Sequence, residues 1–112
     1  MAAAALQTAQ TEVFRTLADP TRRRLFERLA REGELTVSVL TLGSKVSQPA
    51  VSQHLAALKL AGLVNDRREG RTTHYSVRPQ GLKPMINWLE HYTAFWADKF
   101  DNLEAFLDRM DQ

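Results

Sequence analysis

Apolar and polar positions change period several times along this 112-residue chain. The clearest segment runs from Ser47 to Val64 (SQPAVSQHLAALKLAGLV). Val51, Leu55 and Leu58 fall at i, i+4 and i+7, which is one face of a helix. Ser47 and Pro49 start that helix, and Gly62 stops it before an apolar strand. The opposite face begins with Gln48, Ser52 and Gln53, polar side chains without charge. A face built only for solubility usually carries Lys and Glu. Amides and hydroxyls at a helix N-terminus are what a major-groove reader presents to base edges.

The same reading places the other elements. Leu6 to Leu17 predicts a first helix with Val13, Phe14 and Leu17 inward, after an Ala- and Gln-rich start expected to fray. Asp19-Pro20 is a helix start, an N-cap followed by proline at the first helical position. That second helix is expected to reach about Arg31, with Leu25, Phe26 and Leu29 inward and Gly33 ending it. Thr36 caps a short third helix containing Val39, Leu40 and Leu42, and Gly43-Ser44-Lys45 is a turn. Two helices around a short turn outline a helix-turn-helix. Leu63-Val64 then begins a strand, Arg67 to Arg71 forms a charged tip with Gly70, and Thr72 to Val77 returns. A hairpin directly after a recognition helix is a wing.

From Pro79 the chain is helical again. Leu82, Leu89, Trp96, Leu103 and Met110 recur every seven residues, with Met85, Tyr92 and Phe106 in a second column and Ile86, Phe100 and Leu107 in a third. This stripe is wider than one small domain needs. Core packing is the bland reading, and a dimer interface is favoured because the columns continue to the last residues. The fold expectation is mainly α with a small β-hairpin: a single winged helix-turn-helix domain over 1–112. Within it, 6–18 and 80–110 are long N- and C-terminal dimerisation helices, 36–61 the helix-turn-helix and 63–77 the wing.

Composition adds constraints. There is no cysteine, which removes disulfides, thiolate metal sites and thiol redox sensing. No apolar run approaches a membrane span, and the N-terminal run has neither the length nor the basic flank of a signal peptide, so no membrane partner and a cytoplasmic location are expected. The net charge of +2 hides an asymmetry, +5 over residues 1–80 and −3 over 81–112. A basic body with an acidic tail suits a polyanion on one side.

Leu17-Ala18-Asp19-Pro20-Thr21-Arg22, Leu35-Thr36-Val37, Ser47 through Leu55, Leu58-Lys59, Ala61 through Val64, and Arg67 through Arg71 with Tyr75 form one set. On these residues the chain resembles the ArsR-type (ArsR/SmtB) family of bacterial winged-helix transcription regulators, closely over roughly residues 11–78. The aromatic last helix is similar to its SdpR-like subgroup. The resemblance implies a homodimeric repressor on double-stranded operator DNA, joined through its first and last helices. The fourth helix would enter the major groove, with the wing near the backbone or minor groove. Many members sense metals or thiol-reactive species. Here positions 35–41 read LTVSVLT, so the family's cysteine motif is missing and thiolate sensing is excluded.

The residues expected to meet DNA follow. Gln53 is the first choice for a base reader, its amide matched to adenine, and Gln48 and Ser52 share the role. His54 offers a base or phosphate contact, or is a flanking surface histidine. Ser47 caps the helix with its hydroxyl near phosphate, and Lys45 in the turn can meet phosphate at the helix N-terminus. Arg67, Arg68 and Arg71 suit phosphate or minor groove, the alternative being a solvated hairpin with Asp66 and Glu69 as partners. The run Arg22-Arg23-Arg24 is chiefly a solvated face from which one arginine can reach phosphate.

The expected dimer contacts are Leu6, Val13, Leu89, Tyr92, Trp96, Leu103, Phe106 and Met110. Trp88, Tyr92, Phe95 and Trp96 can alternatively line a small-molecule pocket between protomers. No cofactor and no resident metal are expected, and any inducer is left open. The alternatives are a Zn- or Ni-responsive site centred on His91 with Glu90 and Asp98, or a winged-helix interaction module that reads no DNA. Catalysis is disfavoured because no nucleophilic cysteine, metalloprotease spacing or glycine-rich phosphate loop is present.

Overall fold

Helix α1 spans Ala2–Ala18 in the computed structural model, which describes residues 2–111. Met1 and Gln112, the ends of the expected 1–112 domain, lie outside the described residues. The helix includes the alanine-rich start from Ala2, alanine being the best helix-forming residue. Asp19 then breaks the run in an extended conformation, and its carboxylate accepts the backbone N–H of Arg22 at 3.0 Å. That bond holds the Asp19 carboxyl below its ordinary pKa, because the ionised form is the better acceptor. Helix α2 follows over Pro20–Glu32 and ends at Gly33, whose φ of +87° favours a residue without Cβ.

Leu35–Thr36 forms a two-residue strand, β1, against the later hairpin. The sequence reading did not expect it, since two residues carry no alternation of their own. Thr36 also caps helix α3 (Val37–Thr41), accepting the N–H of Val39 at 3.2 Å. Of the apolar residues expected in α3 only Leu40 is buried. Val39 is exposed, and Leu42 lies beyond the helix and is 71% exposed. Leu40 fills the fully buried position of this five-residue helix, and Val37, partly buried, packs beside it on the core.

Helix α4 covers Gln48–Leu60, with Ser47 accepting the N–H of Ala50 at 3.3 Å. Val51, Leu55 and Leu58 are 0% exposed. The chain reverses through Gly62, and Leu63, fully buried, precedes strand β2 at Val64–Glu69. Strand β3 (Thr72–Val77) pairs antiparallel with β2 and with β1, in the order β1-β3-β2. The wing is therefore anchored to the body through a third strand. The core beneath it joins Val13 and Leu17 of α1, Leu25, Phe26 and Leu29 of α2, and Leu40, the α4 residues, Leu63, Val64 and Tyr75.

A 3-10 turn at Pro79–Leu82 leads into helix α5, Lys83–Met110. Gly81 has no room for a side chain there: an added Cβ would lie 2.9 Å from the Cα of Leu63. Leu82 and Met85 pack on the core, and Trp88 meets Phe14 of α1 edge to face at 5.4 Å. Beyond that contact α5 leaves the body. The radius of gyration is 18.4 Å, against about 13 Å for a compact chain of this length. No residue of α5 is buried. Mainly helical with a small sheet and a wing, the architecture is a winged helix-turn-helix. No helix among the described residues is long and apolar enough to cross a membrane.

Candidate nucleic-acid interface

Three buried side chains fix the roll of α4, and its outward face follows from them. Gln48, Ser52 and Gln53 are all exposed on the first two turns. The Ser47 oxygen accepts one backbone N–H of α4, and its hydroxyl proton remains free to donate. Gln48 and Ser52 share a groove of about 240 Å³ with Arg71, Thr72 and Thr73 of the wing, Val37 and Ser38 of α3, and its cap Thr36. The groove unites the helix start and the wing tip, which lie about twenty residues apart in sequence and are joined by the sheet. Its lining carries hydroxyls, an amide and one guanidinium, and no carboxylate. Such a set can contact base edges and phosphates together.

The wing arginines divide. Arg71 lies in the groove. Arg68 curls over the tip, its Nε donating to the Gly70 carbonyl at 3.4 Å, and has no carboxylate partner among the described residues. Arg67 has acidic partners within the protein. Its guanidinium is held by Glu34 at 2.7 Å and by Glu69 at 2.8 Å. Strand pleat is the reason. Residues 67 and 69 of β2 and 74 of β3 share one face, and Val64 and Tyr75, which enter the core, lie on the other. Arg67 stands among Glu34, Glu69 and His74, with the His74 nitrogens 3.7 and 3.8 Å from the two carboxylates. The Arg67 hydrogen bonds lower the pKa of Glu34 and of Glu69, and the carboxylates push that of Arg67 up. Of the two acidic partners expected for the wing, Glu69 is used here. Asp66 instead binds Lys59 of α4 at 2.9 Å and raises the lysine's pKa.

His54 is half-buried and its Nδ1 accepts from Arg22 Nε at 3.3 Å, so it ties α4 to α2 rather than standing beside Gln53. Arg23 donates to the Leu17 carbonyl at 2.8 Å. Arg24 makes no side-chain hydrogen bond or ion pair among the described residues. Lys45 is exposed in the turn before α4 and has a φ of +64°. Arg24 was indistinguishable within its arginine run by sequence, and Glu34 carried no signal at all, since its partner is 33 residues away.

Of the expected dimer contacts, Leu6, Leu89, Tyr92, Trp96, Leu103, Phe106 and Met110 are all exposed. Val13 is not: at 1% exposure it packs in the protomer's own core. Along α5, Trp88, Leu89, Tyr92, Trp96 and Phe100 border a shallow apolar hollow of about 470 Å³. Phe95, grouped with them by sequence, instead sets its ring against Trp96 at 5.2 Å outside that hollow. The His91 ring meets Tyr92 edge-on at 4.8 Å. Among the described residues no three His, Cys, Asp or Glu side chains gather as metal ligands within one chain.

Known proteins supply the family. Residues 17–67 match a helix-turn-helix domain family model. The chain is 48% identical to the arsenic resistance transcriptional regulator ArsR1 of Pseudomonas putida over 68 residues, 61% of this chain and 53% of that protein. It thus spans about half the length of that relative. It is 34% identical to the transcriptional repressor SdpR of Bacillus subtilis over 71% of this chain and 88% of that protein. A crystal structure of an ArsR family transcriptional regulator superposes with a TM-score of 0.74 at 27% identity, covering 81% of this chain and 93% of that one. The chain belongs to the ArsR/SmtB family of winged-helix transcriptional regulators.

Proposed function

We propose that the protein is a homodimeric transcriptional repressor that reads an inverted-repeat operator. Gln53, Gln48 and Ser52 contact base edges, and Arg71 and Arg68 hold the backbone from the wing. Ser47 orients the helix they stand on. One observation carries this reading: the uncharged start of α4 is exposed and shares a carboxylate-free groove with Arg71. A solvated helix face has no need of that pairing. The unpartnered apolar length of α5, with Leu6 of α1, supports pairing with a second copy of the chain. Pairing about a two-fold axis presents two copies of α4 to half-sites about one helical turn apart. Occupying a promoter in this way excludes polymerase.

The test is selection from random duplex DNA with the purified full chain at about 150 mM salt, where non-specific binding is already weak. An enriched inverted repeat is expected. Recovery of no sequence, or of an unstructured mixture, would point to an interaction module that reads no DNA.

A further inference from the structure

Two concavities share no residue: one is lined by Gln48 and Ser52 of α4, the other by Lys45, two residues before the Ser47 cap. One holds Arg71 and belongs to the interface described above. The other, about 280 Å³, lies between α2 and the turn 43–45. Arg24, Arg28, Ser44 and Lys45 line it, with the buried Leu25 and Leu40 beneath. Three cations converge there and no carboxylate lines it.

Arg28 is already occupied. It pairs with Glu32 at 2.8 Å and donates to the carbonyls of Val39 and Leu42 at 3.1 and 2.8 Å, which fixes the end of α3. Ser44 locks the turn by donating to the Thr41 carbonyl at 2.7 Å. Arg24 and Lys45 make no ion pair or side-chain hydrogen bond among the described residues. Like charges left together without a counter-charge repel one another and favour an anion.

The backbone points the same way. Every described residue with positive φ is glycine except Lys45. A side chain in that conformation is strained, and such strain collects at functional positions. Here it keeps a cation two residues ahead of the Ser47 cap, where glycine would be easier.

We propose that Arg24 and Lys45 form a clamp for one DNA backbone phosphate beside each half-site. This inference rests on α4 reading DNA as set out above. The planar guanidinium takes two phosphate oxygens and the ammonium acts as a point charge. Arg71 and the clamp then hold the backbone from two separate concavities.

The test is the salt dependence of binding to the selected operator, measured for the full chain and its variants. Arg24→Ala with Lys45→Gly should flatten the slope of log affinity against log salt by about two units and leave base preference unchanged. Lys45→Gly alone should flatten it by about one unit, yet raise the thermal midpoint because glycine relieves the strained φ. Arg31→Ala, at the far end of α2, should leave the slope as it is. An unchanged slope in the double variant, with base preference retained, overturns the clamp. So does Lys45-dependent stabilisation by inorganic phosphate with an unchanged slope, which would assign the cleft to a free phosphate ligand. Failure of the wild type to select any DNA overturns the reading of α4 as well, so the two failures are distinct.

Discussion

Leu55 in α4 and Leu89 in α5 are the same residue type on the same kind of apolar helical stripe. One is 0% exposed and the other 51%. The winged body closes its stripes on itself: α1, α2, α3, α4 and the sheet share one core. Helix α5 closes only its first turns, through Met85 and Trp88 with Leu82 just before it, and leaves the remaining columns bare. Periodicity therefore reports that a face will be covered, and is silent on what covers it. In the body the cover is the same chain. On α5 the remaining stripe is bare in the single chain, an arrangement unfavourable in water, and in the proposed reading a second copy covers it.

Four substitutions test how separate the two regions are. The largest effect is expected for Leu55→Ala, which opens a cavity under the recognition helix and should cost about 2–5 kcal/mol in urea unfolding. Dimerisation energy cannot replace that loss if the body folds on its own contacts. Next, Trp96→Ala should leave the body folded and weaken self-association by about 2 kcal/mol, roughly 30-fold in sedimentation equilibrium. If Trp96→Ala also unfolds the body, the two regions are one cooperative unit and the contrast fails. Gln53→Ala should change neither region's folding and cost about 1–3 kcal/mol on operator DNA, with little loss on random duplex. Equal binding of variant and wild type to every DNA would remove base readout from α4.

The smallest effect concerns the wing's anchor. Glu34 has its pKa lowered by Arg67, so its contribution is complete above the ordinary carboxylate range and is lost as pH falls through the lowered value. The urea midpoint of Glu34→Gln should therefore lie below wild type at neutral pH, and the gap should close in acid. A gap that widens in acid would mean the pair does not hold the wing. Both groups are exposed, so the difference should also shrink in high salt.

Much of the fold was legible because its signals are local. Asp19-Pro20, Gly33, Thr36 and Ser47 set helix ends through bonds to neighbours three or four residues away. The i, i+4, i+7 spacing of Val51, Leu55 and Leu58 fixed which side of α4 faces out, and so exposed Gln48, Ser52 and Gln53 as candidates. The site was less legible wherever a role depends on a distant partner. Arg67 and Arg71 look alike in sequence, yet the pleat of β2 gives Arg67 to Glu34 and Glu69, while Arg71, in the turn, lines the groove. His54 beside Gln53 turns to Arg22, 32 residues earlier.

Residue type and spacing alone decided the helices, the wing hairpin and the outward face of α4, since capping, φ preference and amphipathic period act within a few residues. Tertiary structure decided the third strand, the neutralisation of Arg67, the interior place of Val13 and the isolation of Arg24 with Lys45. Charges and hydrogen-bonding groups act over a few ångströms, and only the folded chain brings residues from different elements that close.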